Sequence, residues 1–171
     1  MNRQRGFTLI ELIITMAIAA IVVTIGVPSF QAMMRNNRVA AHTNEFMSSL
    51  NLARSEAIKR GVQVALCPSS NQSTCATAWG TNGWIVFVDT DNNGSLNGGE
   101  PLLRVYQFDG NDTLVNTSFP GTDISFTSRG RVASGGSLFL SACDANDQQN
   151  VITITPVGRA RVSQQPGSAC P

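Results

Sequence analysis

The sequence predicts an α+β protein, with a long N-terminal helix packed on an antiparallel β-sheet. Three observations carry this. An apolar run from Phe7 to Val27 holds one ionisable side chain, Glu11. From Val39 to Ala57 the apolar positions recur at helical spacing. Beyond Gly61, short β-branched and aromatic segments alternate with Gly, Asn, Asp and Ser.

The apolar run is about long enough to cross the ~30 Å core of a bilayer as a helix. Arg3 and Arg5 precede it, which predicts a cytoplasmic N-terminus. A carboxylate inside such a helix is costly in lipid, so Glu11 is expected to have a partner. A secretory signal peptide fits poorly, because the positive region is short and no small-x-small site follows.

Val39, Thr43, Phe46, Leu50, Ala53 and Ala57 form one helical face. Asn44, Ser48, Asn51, Ser55 and Lys59 fall on the opposite side. Lys59 and Arg60 suit the negative end of the helix dipole, and Gly61 suits the position just past the end. One helix is therefore expected from about Phe7 to Arg60, bent near Pro28.

Strands are expected at Val62 to Leu66, Trp84 to Val88, Leu102 to Phe108 and Ile124 to Phe126. Further strands are expected at Ser137 to Leu140, Val151 to Thr155 and Arg159 to Val162. No internal repeat or long low-complexity segment is expected.

The chain has 171 residues and a net charge of +1. Roughly 140 residues beyond the apolar run are ample for one domain with its own core. Four cysteines, Cys67, Cys75, Cys143 and Cys170, form no CxxC pair, so zinc is not indicated. An exported domain would place them in an oxidising compartment. Proximity in sequence favours Cys67 with Cys75 and Cys143 with Cys170, among three possible connectivities.

The segment Gly6-Phe7-Thr8-Leu9-Ile10-Glu11-Leu12 resembles the class III leader junction of type IV pilins and type II secretion pseudopilins. The resemblance implies that a prepilin peptidase cuts after Gly6 and that the new amine on Phe7 is methylated. It also implies that Glu11 pairs with the N-terminal amine of a neighbouring subunit in a filament. The chain then divides into a leader (1–6), a transmembrane or filament-core helix (7–28) and a globular domain (29–171). That domain would be periplasmic while the helix sits in the inner membrane, and extracellular once assembled into a pilus.

The resemblance extends downstream to Leu66-Cys67-Pro68-Ser69-Ser70, Trp79 with Gly83-Trp84, the Asp-Asn-Gly turn ending at Glu100, Phe126-Thr127-Ser128-Arg129-Gly130 and Gly158-Arg159. These pieces resemble the GspH/FimT branch of minor pseudopilins and minor pilins. Gly158-Arg159-Ala160-Arg161 is similar to the GRxR motif of FimT-type pilins, which is associated with binding DNA during natural transformation. Cutting after Gly6 leaves ten basic against eleven acidic residues, so any nucleic-acid site must be a local cluster.

Catalysis has little support: there is no GxSxG, HExxH or P-loop, so no enzyme is expected. His42 is expected to be a surface or packing residue. Asp89 to Glu100 matches the twelve-residue calcium loop, with Asp89, Asp91, Asn93 and Glu100 as side-chain ligands and the Ser95 carbonyl as another. Strand-like flanks make a metal-free hairpin turn the stronger expectation, so no cofactor is expected.

Arg129-Gly130-Arg131 and Arg159-Ala160-Arg161 each place two guanidiniums two residues apart. In a strand these would share one face at about 7 Å, a spacing suited to successive phosphates of double-stranded DNA. A solvated edge strand would use arginines the same way. The expected function is a minor type IV pilin whose partners are other pilin subunits, the inner membrane, prepilin peptidase and DNA. The alternatives are a type II secretion pseudopilin contacting exoproteins or other pseudopilins, and a calcium-stabilised adhesion or assembly module.

Overall fold

The computed structural model describes residues 7–80, 83–108, 112–116, 121–132, 136–142 and 148–166. Helix α1 spans Leu9–Arg60. Eight strands follow: β1 (Gln63–Pro68), β2 (Gly83–Asp89), β3 (Leu102–Gln107), β4 (Asp112–Asn116), β5 (Ile124–Phe126), β6 (Gly136–Ala142), β7 (Gln148–Ile154) and β8 (Ala160–Pro166). The chain divides into two compact units, one ending at Arg35 and the other starting at Asn36.

In the first unit, every side chain from Phe7 to Phe30 is exposed. The helix is long and apolar enough to cross a membrane. It continues through Pro28 without interruption. Its start is fixed by Thr8. The Glu11 backbone N–H donates to Thr8 Oγ1 at 3.3 Å, and Thr8 N–H donates back to Glu11 Oε2 at 3.4 Å. This reciprocal pair is a capping box.

In the second unit, all six residues of the predicted apolar face of α1 are buried, joined by His42 and Ser49. That face lies in one core with Val64, Leu66, Trp84, Val86, Ile124 and Phe126 on one side and Leu114, Leu138, Ile152 and Ile154 on the other. Phe46, with no exposed surface, is the centre, with the Trp84 ring centroid at 5.0 Å and that of Trp79 at 5.8 Å. Truncating such a residue to alanine typically costs ~3–5 kcal/mol. Three polar side chains on the buried face of the helix find partners in the sheets. Trp84 Nε1 donates to Ser49 Oγ at 2.9 Å, Asn150 Nδ2 donates to Thr43 Oγ1 at 2.8 Å, and His42 Nδ1 lies 2.5 Å from the Tyr106 hydroxyl. His42 is thus a packing residue.

The expected single sheet is two four-stranded antiparallel sheets, ordered β3-β2-β1-β5 and β4-β6-β7-β8. The helix face is wide enough to be covered by both. Strand β4 was not expected, since only Leu114 and Val115 interrupt its polar surroundings; it pairs with β6. The outer face of the first sheet carries a small second core of Ala65, Cys67, Ile85 and Phe87, packed against Cys75 and Leu96. The Cys67–Cys75 bond, with Cα atoms 5.6 Å apart, holds its loop over that patch. Cys143 and Cys170, the other expected pair, lie outside the described residues, as does Gly6.

Candidate functional site

The β2–β3 hairpin carries the calcium-like loop. Single carboxylate oxygens of Asp89, Asp91 and Glu100 all lie within 4.8 Å of one another. Each carboxylate is nevertheless occupied by N–H donors of its own neighbourhood. Asp89, fully buried, accepts from the backbone N–H groups of Asn93 and Gly94, both at 3.0 Å, and from Gln63 Nε2 at 2.7 Å. Asp91 accepts from Asn93 Nδ2 at 2.7 Å and Asn97 Nδ2 at 2.8 Å. Glu100 accepts from Thr90 N–H at 2.7 Å and Asn97 N–H at 3.0 Å.

Burial alone would raise the Glu100 carboxyl. Bonds from the Asn97 and Thr90 N–H groups, the Thr90 hydroxyl and the Asp91 backbone outweigh it and hold the group below the ordinary 4.5. Asn93 itself turns its side-chain oxygen to Ser95 N–H at 2.7 Å.

A cleft of about 280 Å³ separates this loop from the first arginine segment. Gln63, Thr90, Asn92, Thr127 and Ser128 line it, with Gly61 and Val62, so among the described residues its walls offer amides and hydroxyls without a charged side chain.

The arginines sit on two turns of one design. Thr127-Ser128-Arg129-Gly130-Arg131 and Thr155-Pro156-Val157-Gly158-Arg159 share the pattern T-x-x-G-R. In each, Thr N–H donates to Arg O (2.8 and 3.0 Å) and Gly N–H to Thr O (2.8 Å in both). Arg N–H donates to the Thr hydroxyl at 3.3 Å in both. Both glycines are buried in the left-handed region, with φ of 70° and 76°.

The arginines are left outside. Arg129, Arg131, Arg159 and Arg161 are all exposed. Among the described residues none of the four forms an ion pair or side-chain hydrogen bond, whereas Arg104 pairs with Glu45 at 3.1 Å and Arg60 with Glu56 at 2.6 Å.

Arg159 closes its turn and Arg161 is the second residue of β8; both are exposed, one on each side of Ala160 in the chain. Ala160 between them packs inward against the core, and Arg161 opposes Thr153 in the β7–β8 register. Strand β8 ends its sheet, so its far edge is unpaired among the described residues. Arg129 and Arg131 differ from the strand expectation. They flank the turn glycine, and only the following Val132 makes a bridge, to Phe126. The twice-used T-x-x-G-R is a short internal repeat, contrary to the expectation of none.

A long apolar N-terminal helix, continued as an amphipathic helix under antiparallel sheets, defines the class of type IV pilin-like proteins. Residues 42–158 match the family described as Type II transport protein GspH, and residues 1–27 match the prokaryotic N-terminal methylation motif. The chain belongs to the GspH family of minor pilins and pseudopilins, a family of structural proteins.

Solved structures share the fold. The type IV minor pilin FimU of Pseudomonas aeruginosa is similar at 17% identity and a TM-score of 0.62, over 81% of this chain and 98% of that one. The minor pseudopilin EpsH from the type 2 secretion system of Vibrio cholerae is similar at 16% identity and a TM-score of 0.50, over 74% of this chain and 96% of that one.

Proposed function

We propose that the chain is a minor type IV pilin that captures double-stranded DNA through Arg159 and Arg161. The observation that supports this best is the exposed pair where the Gly158 turn enters the outer edge strand β8, neither of which forms an ion pair among the described residues. Residues two apart in extended backbone repeat at about 7 Å, a spacing that suits successive backbone phosphates. Arg129 and Arg131 on the companion turn widen the basic patch. With so few contacts the affinity is low and falls with salt.

The N-terminal motif supports cleavage by prepilin peptidase after Gly6, methylation of Phe7 and insertion in the inner membrane, with the globular domain periplasmic before assembly and extracellular after it. Glu11, which caps its own helix through Thr8 in the single chain, would exchange that bond for a neighbour's N-terminal amine in a filament. Gly6→Val should then leave an uncut precursor. Mature protein beginning at Phe7 would count against the assignment.

The family description and the likeness to EpsH favour a second reading, a type II secretion pseudopilin that contacts other pseudopilins or exoproteins. DNA titration of the detergent-solubilised full chain over a salt series separates the two. Arg159→Gln with Arg161→Gln should weaken binding to all sequences alike and reduce the log–log salt slope by roughly 0.9 per contact. Absence of binding by the parent at low salt would leave the pseudopilin as the better assignment.

A further inference from the structure

The two T-x-x-G-R turns are stacked. Val132 N–H of the first donates to Pro156 O of the second at 3.1 Å. A Cβ on Gly158 would lie 2.2 Å from the Gly130 carbonyl oxygen, so the second turn rests directly on the backbone of the first. The first turn in its turn rests on α1. A Cβ on Gly130 would lie 2.8 Å from Ile58 Cδ1 and 3.1 Å from Arg54 Nε. The order of layers is helix, Gly130 turn, Gly158 turn.

Arg54 crosses these layers. Its Nε is buried beneath the Gly130 turn without a hydrogen-bond partner among the described residues. Its Nη2 reaches past that turn and donates to Val157 O of the second at 3.2 Å. One helical side chain therefore touches both turns. Arg131 and Arg159 hold the same place in successive turns, immediately after the buried glycine. Their relative position is set by the stacking that Arg54 spans.

We infer that Arg54 is a positioning residue for the arginine site: it fixes the two turns in register so that Arg131 and Arg159 present their guanidiniums together to a polyanion. The inference rests on the DNA-capture reading for its ligand. It adds that the site is one two-layered unit built from both turns and the helix.

The test is a double-mutant cycle on the full chain in detergent, with a DNA duplex titrated at low salt. Arg54→Met should weaken binding about five- to tenfold. In an Arg131→Gln, Arg159→Gln, Arg161→Gln background the same change should have no further effect, because Arg54 acts through those side chains. An equal effect in both backgrounds would mean that Arg54 touches DNA itself, and no effect in the parent would remove its role.

A second measurement needs no DNA. Amide hydrogen exchange at Val132 and Gly158 should accelerate at least tenfold in Arg54→Met and recover partly in Arg54→Lys, while Asn93 and Gly94 stay as in the parent. Unchanged protection at Val132 and Gly158 overturns the inference whether or not the parent binds DNA. Loss of DNA binding by the parent with this exchange pattern intact would overturn only the ligand reading.

Discussion

The β2–β3 loop and the two glycine turns use their charged side chains in opposite ways. In the loop, Asp89, Asp91 and Glu100 are turned inward onto N–H groups, and the backbone path depends on them. In the turns, threonine hydroxyls, backbone groups and a left-handed glycine close the chain, and the arginine side chains take no part among the described residues. A charge that closes its own loop contributes to holding that loop. A charge left over by a turn that closes without it is available to a ligand. This separates the two candidate sites more clearly than composition does, since both segments are exposed, polar and glycine-containing.

The largest effect expected from this contrast is at Asp89. Asp89→Ala leaves three donors without their buried acceptor and should lower stability by about 3 kcal/mol in a denaturant melt. A loss below ~1 kcal/mol would show that the loop holds itself by other means. DNA binding should survive the change.

Acid should act on the same loop. Glu100 titrates below its ordinary value when folded, so its contribution is present above the unfolded pKa and is lost as pH falls through the folded one. Melting temperature should drop below about pH 4.5, and Glu100→Gln should flatten that drop. Glu56 is also lowered, chiefly by its hydrogen bond from Arg60, so some acid dependence should remain.

Smaller still is the effect expected on the turns. Replacing Arg129, Arg131, Arg159 and Arg161 together by Gln should change stability by less than about 0.5 kcal/mol. A loss above ~1.5 kcal/mol would give these side chains a structural role and erase the contrast. The smallest effect expected is none: a chelator should leave the melting temperature unchanged, and a drop that Asp89→Ala abolishes would restore the metal-loop alternative.

Much of this was legible in local sequence. The buried face of α1 follows from one period, and Val39 to Ala57 carry it without interruption. Seven strands were marked by β-branched or aromatic runs. The eighth, β4, has only Leu114 and Val115 to mark it, and its order comes from pairing with β6. Division into two sheets is likewise a matter of pairing, which local pattern does not encode.

Arg161 lies on β8 as expected, whereas Arg159 belongs to the turn that precedes it. Arg129 and Arg131 looked like the same pattern, but the residue between them is the glycine of a turn. Arg54 could not be found from sequence, since its contact with Val157 spans 103 positions. The capping box at Thr8 and Glu11 could have been, from the spacing T-x-x-E alone.

Trp79 and Trp84 are the only tryptophans in the chain, and both rings flank Phe46. Intrinsic emission therefore reports on the seating of the helix against the sheets and on little else. It should shift fully on unfolding and stay constant when polyanion is added, because both indoles lie in or beside the central core and the arginines lie outside it. Constant emission during a DNA titration is thus no sign of failed binding. The titration needs a label near β8 or on the duplex itself.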